Sequence, residues 1–381
     1  MIRIVRKEDT VGLRAWAVRA GAILAALAAS VLLVLLMGYD PIRTFGAMLQ
    51  GAFGTEYGRI NTIIMAVALA MTALAVSVAF SMKFWNIGAE GQILMGAFAA
   101  TAAARVLPEG TPPVLLVLAC LLAGLAGGAA WALVPGLFRI YLGTNETLFT
   151  LMMNYIAIKF VVLLRCLAWK DPAANGFPVI AEIPAGAFLP PVLGVHAGWI
   201  LAVLLAVATY YFLRSTKLGY EIRVVGESER TARYAGMDVR RVVVTGVLVS
   251  GAMAGLTGAV KLMGVAHTLS ETVAGGDGFT AIIIAWLANL SAPGIVVASV
   301  LFAALKQGTL AMEIVGSPPS LSDVIKGLIL MAALSTEFFL RYRIAVERRD
   351  AHATAVHPPA GPGQAEGGPS AEAGAPAEEG G

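Results

Sequence analysis

Ten runs of mostly apolar residues, separated by charged or Gly/Pro-rich breaks, recur along this chain, and most approach the roughly 20 residues that a helix needs to cross a bilayer. They occupy residues 15–37, 59–81, 88–106, 113–138, 146–168, 197–213, 241–263, 278–292, 294–312 and 321–340. Backbone in lipid has no water to bond, so each crossing is expected to be helical. The pattern predicts an all-α polytopic membrane protein of about ten transmembrane helices. Composition excludes the soluble alternative, because charged residues make up 13% of the chain and hydrophobic ones 58%, where an ordinary soluble domain has about 25% charged. The two short runs around Ser291-Ala292-Pro293-Gly294 read either as two crossings or as one re-entrant pair.

Charge placement gives the orientation. Arg3, Arg6, Lys7, Arg14 and Arg19 precede or open the first run, which at Ala15 to Met37 is too long for a signal-peptide core and reads as an uncleaved helix. The loop 214–241 carries Arg214, Lys217, Arg223, Arg230, Arg233, Arg240 and Arg241, and Arg341, Arg343, Arg348 and Arg349 follow the last run. Basic short loops stay in the cytoplasm, so both termini and the 214–241 loop are expected there. The proline-rich loop 169–196 is then external, either a cap over the outer mouth or a plain connector. A transmembrane domain over 1–345 is followed by 346–381, whose Ala/Pro/Gly/Glu composition predicts a disordered cytosolic tail.

The sequence lacks a GxxxxGK[ST] phosphate loop, HExxH and paired CxxC motifs. No enzyme chemistry, cofactor, metal site or nucleic-acid partner is expected. Cys120 and Cys166 read as small buried apolar residues. Glu90, Glu146 and Glu313 sit near predicted helix ends, and a chain with so few carboxylates deep in its helices does not look like an ion-coupled secondary transporter.

Four polar stretches interrupt the apolar pattern. In 218–238, Ser228 is a suitable N-cap, Glu229 suits the positive end of a helix, and Gly236 suits a C-terminal stop. A short helix there, with Ala232 and Ala235 on one face beside Arg230 and Arg233, fits a groove on another protein, while a loop that merely caps the bilayer is the alternative. Lys83-Phe84-Trp85-Asn86-Ile87-Gly88-Ala89-Glu90-Gly91-Gln92 reads as a broken helix lining a path or as a tight turn. Asn145 or Thr144 can cap the helix that Glu146 opens, and Asn154 two turns later faces either a neighbour or a cavity. Gly124 with Gly128, and Gly251 with Gly255, have the small-residue spacing that lets helices approach closely.

Taken in order, Phe84 to Gln92, Asn145-Glu146-Thr147 to Asn154-Tyr155, the 218–238 loop running into Ser250 to Ala259, and Gly278-Phe279-Thr280 resemble the branched-chain amino acid and simple-sugar ABC permease family. The chain is most similar there to the larger permeases of nucleoside importers, over roughly residues 10–345. The resemblance implies a type II-like importer permease fold in the bacterial inner membrane. It also implies a second related permease, a cytoplasmic ATPase and an external substrate-binding lipoprotein. The family's ATPase-coupling helix maps onto Glu227, Ser228, Glu229, Ala232, Arg233, Ala235 and Gly236. Asn86, Glu90, Gln92, Asn145 and Asn154 match motif positions of a substrate path, and Trp85 and Phe279 have the side chains to stack on a nucleobase.

Overall fold

The structure is a computed structural model and describes residues 2–6, 13–108 and 110–346. From the N-terminus, strand β1 (Ile2–Arg6) precedes helices α1 (Leu13–Leu36), α2 (Pro41–Leu49), α3 (Glu56–Ser81), α4 (Ala89–Val106), α5 (Pro113–Leu142) and α6 (Glu146–Cys166). The strands β2 (Pro191–Val192) and β3 (Val195–His196) lead into α7 (Gly198–Ser215), α8 (Lys217–Glu227), α9 (Glu229–Tyr234) and α10 (Val239–Lys261). The last elements are α11 (Asp277–Leu287), α12 (Ala292–Ile314), α13 (Pro319–Arg341) and β4 (Tyr342–Val346). All ten apolar runs coincide with helices. Six of these are long and apolar enough to cross a membrane among the described residues: α3, α5, α6, α7, α10 with its π-helical extension to Ala266, and α12.

Two differences from an all-α chain appear. Antiparallel β1 and β4 join the two ends, with Ile2 opposite Val346, and β2 pairs with β3 in a hairpin. Val346 therefore belongs to a paired strand, and the rest of the 346–381 tail lies outside the described residues. The connection between the first two runs also contains α2. Asp40 caps it by accepting the Ile42 N–H at 2.9 Å, Pro41 starts it, and a π-helical turn at Gln50–Gly54 returns the chain to α3.

Helix α3 is the centre of the bundle. Every residue from Ala66 to Phe80 is buried, as expected of a helix that is apolar all round and surrounded by protein. Helices α7, α10, α11 and α12 pack around it. Beside it α4, α5 and α10 meet at glycines: a methyl group at Gly255 would overlap Gly124 O and the Gly128 backbone, and one at Gly96 would overlap Gly255. Both GxxxG pairs thus let backbones touch, which is how helices associate where lipid removes the hydrophobic driving force. Cys120 is buried on α5, but Cys166, the last residue of α6, is exposed, contrary to its expected burial.

Helix α11 has eleven residues, about 16 Å of rise against a hydrocarbon core of about 30 Å. The 278–292 run is therefore a half-length helix, preceded by the non-helical stretch 267–276 that follows α10 and its π-helical extension. Irregular backbone packed among membrane-spanning helices requires protein partners for its polar groups.

Candidate functional site

Those partners come from three helices converging on Ala274 to Gly278. From α4, Glu90 accepts the Gly276 N–H at 2.7 Å through Oε1 and the Gly278 N–H at 2.8 Å through Oε2. From α10, Lys261 Nζ donates to Ala274 O at 2.7 Å and pairs with Asp277 Oδ2. From α12, Lys306 Nζ donates to Gly275 O at 3.3 Å and to Asp277 Oδ1 at 2.7 Å. Asp277 and Glu90 are both buried, at 4% and 7% exposure. Glu90 does lie near a helix end, as expected, in the first turn of α4, but it is enclosed by the 276–278 backbone, and Asp277 opens the eleven-residue helix α11. Two ammonium groups and the backbone N–H groups compensate them, as an interior charge requires.

The polar turn between α3 and α4 is held in a similar way. Asn86 Nδ2 donates to Gln92 Oε1 at 3.1 Å and to Ser250 Oγ on α10 at 3.4 Å, and Asn86 Oδ1 accepts from Gln92 Nε2 at 3.0 Å and from the Gly88 N–H at 3.0 Å. Asn154 on α6 accepts the Gly91 N–H at 2.8 Å and donates to Ile87 O at 2.9 Å. Asn145 caps α6, accepting the Thr147 N–H at 3.0 Å. These side chains position backbone. Trp85 stacks on Trp286 with ring centroids 5.4 Å apart, and both Trp85 and Phe279 remain partly exposed, at 40% and 43%.

A cavity of about 430 Å³ opens between α3, α10 and α12, within the roughly 300–1,000 Å³ typical of small-molecule sites. Tyr57, Val265 and Ile314 flank its mouth, and Lys261, Asp277 and Lys306 form its charged wall. None of the seven motif-derived path residues lines it. Lys261, Asp277 and Lys306 were not legible as site residues in the sequence because Lys261 and Asp277 fall at run boundaries. Lys306 inside the 294–312 run was the available signal, since an ionisable residue within a crossing marks a functional position.

On the opposite end of the bundle, α8 and α9 form a helical corner. Ser228 caps α9 by accepting the Thr231 N–H at 3.2 Å, and Gly236 follows it at φ 76°. Glu227 ends α8, an element absent from the sequence reading, so the expected helix is shorter than its 227–236 span. The orientation of its small residues also needs correcting. Ala232 is fully buried against this chain's own core, so the α9 face open to a partner carries Glu229, Arg230, Arg233, Tyr234 and Ala235.

Comparison with known proteins gives this geometry a family. Residues 58–334 match the model described as branched-chain amino acid transport system / permease component. The chain is 34% identical to a glucose ABC transporter permease of Haloferax volcanii, over 85% of this chain and 88% of the relative. It is 33% identical to a guanosine ABC transporter permease of Bacillus subtilis, over 83% and 92%, and 28% identical to a nucleoside ABC transporter permease of Lactococcus lactis, over 83% and 88%. The chain is thus a multi-pass membrane protein and a transporter subunit, not an enzyme, and it belongs to the branched-chain amino acid transport system permease family of ABC transporters.

Proposed function

We propose that this chain is the permease subunit of an ABC importer that moves nucleosides across the bacterial inner membrane by alternating access. The observation that carries the substrate reading is the pair of nucleoside-named relatives, each matched over 83% of this chain. The glucose-named relative supports a sugar as the second reading. Ten crossings in a type II-like arrangement are supported by the ten helices that coincide with the apolar runs, counting the 267–276 stretch and α11 together as one. The β1–β4 pairing supports an even count, because it needs both ends on one face of the membrane. The basic 214–241 loop makes that face cytoplasmic.

The working assembly contains a second related permease, a cytoplasmic ATPase and an external substrate-binding lipoprotein that docks near 169–196. Helix α9 couples the ATPase: its buried Ala232 fixes it to the bundle, while Arg230, Arg233 and Tyr234 face outward. Along the substrate path Trp85 and Phe279 offer their rings. Asn86, Glu90, Gln92, Asn145 and Asn154 hold the backbone that shapes the path. Co-purification tests the assembly: wild type retains an ATPase and a second permease, and Arg233→Glu with Gly236→Trp loses the ATPase alone. Recovery of neither partner with wild type under gentle extraction overturns the reading.

A further inference from the structure

The wall of the cavity between α3, α10 and α12 carries polar groups that the fold does not use. Gln307 on α12 is 8% exposed, and its amide, which lines the cavity, has no hydrogen-bond partner among the described residues. Asn61, one turn into α3, also lines the cavity without a side-chain partner among those residues. Both amides open into the cavity, where they can bond whatever occupies it. Beside these amides stand Lys306 and Lys261, which share the single carboxylate of Asp277. The cavity wall therefore concentrates hydrogen-bond donors, while the charges of the two ammonium groups are balanced by Asp277 and by Glu90 beside it. The rest of the lining is aliphatic, including Met65, Val260 and Leu310, with Tyr57 at the mouth.

We infer that this cavity is a solute-binding site, and that Asn61, Lys306 and Gln307 recognise the hydroxyl and ring-acceptor groups of an uncharged, nucleoside-like molecule whose flat apolar face lies on the aliphatic wall. The assignment rests on the nucleoside-import reading above. Three features carry it together: a volume suited to a small molecule, amides left without protein partners, and donors concentrated on one wall. An aliphatic wall opposite a polar one is the general form of a site that both holds and orients its ligand. Because Lys306 also ties Asp277 to the 275–277 backbone, a solute that draws on its ammonium loosens the support of α11. Occupancy is thereby linked to the position of that half-length helix.

The test uses the full importer in membrane vesicles with tritiated guanosine. Gln307→Ala and Asn61→Ala leave the Lys–Asp network intact, so assembly, measured by co-purification of the partner subunits, stays at wild-type level. Each variant is expected to raise KM for guanosine about tenfold, the loss expected of one good hydrogen bond in a dry site, with the maximal rate little changed. Lys306→Met is expected to raise it further. Irradiation with 8-azidoadenosine should label peptides from 57–68 or 306–314, and excess guanosine should suppress the label. Saturable uptake with wild-type KM in both amide variants, or labelling confined to other helices, overturns the assignment while leaving nucleoside import standing. Absence of saturable guanosine uptake in the wild type removes the nucleoside reading and this inference with it.

Discussion

Glu90 on α4 accepts the backbone N–H of Gly278 at 2.8 Å, a bond between positions 188 residues apart that fixes the start of the half-length helix α11. The same carboxylate holds Gly276. One side chain thus satisfies two donors where the irregular stretch meets the start of α11, groups that would be costly to leave unpaired in lipid. Glu90→Gln keeps one acceptor oxygen and loses the other and the charge. It should lower stability by about 1–3 kcal/mol, the range for hydrogen bonds to charged groups, seen as a lower Tm of the detergent-solubilised complex.

Asp277 is the more sensitive position. Asp277→Asn leaves Lys261 and Lys306 facing each other without a carboxylate, and removing one partner of a buried ion pair costs about 3–5 kcal/mol. The drop in Tm should exceed that of Glu90→Gln. Adding Lys306→Met to Asp277→Asn removes one of the uncompensated charges and should recover part of the loss; strict additivity in a double-mutant cycle would contradict the shared network.

The backbone contact between α5 and α10 admits no side chain. Gly128→Val places its Cβ against Gly251 O and the Gly255 backbone, and should destabilise the permease by about 1–3 kcal/mol or more, as overpacking does. Gly327→Ala on α13, where nothing lies within reach of a new Cβ, should leave folding unchanged in the same expression and thermal-shift assay.

His196 gives the permease an acid sensitivity. It is 7% exposed, its Nδ1 accepts the Gly198 N–H at 3.2 Å, and burial holds its pKa below the ordinary histidine range. With the folded pKa lowered, both states are neutral at high pH and the unfolded chain takes up a proton first as pH falls. Stability is therefore lost as pH drops through the unfolded value of about 6.5 and continues to fall until the folded pKa is reached. Between about pH 7 and 5, Tm should decline more steeply in wild type than in His196→Gln.

The positions of the membrane helices were legible in the sequence because each apolar run carries its own local signal, and the α9 and α6 caps were legible because Ser228 and Asn145 act within three residues of themselves. Helix α8 was not, since its apolar side is narrow: Ile222, between Glu221 and Arg223, and Val225 are its buried large side chains, and its identity as a helix depends on packing. The charged cluster at Asp277 was hidden for a different reason. Lys261, Asp277 and Lys306 are 16 and 29 residues apart along the chain, so no spacing rule joins them, and reading charges as run boundaries removed two of the three from consideration. The small-residue face of α9 illustrates a further limit: alanines three apart predict a tight contact, but only the tertiary structure shows that Ala232 makes it within this chain.

The most direct test of the central claim is nucleoside uptake by cells or vesicles holding the full assembly, with the membrane potential collapsed and ATP supplied. The account predicts that uptake persists and that it stops when the ATPase subunit is removed or when α9 carries Arg233→Glu. Uptake that vanishes with the potential and survives loss of the ATPase would contradict it and identify an ion-coupled carrier instead.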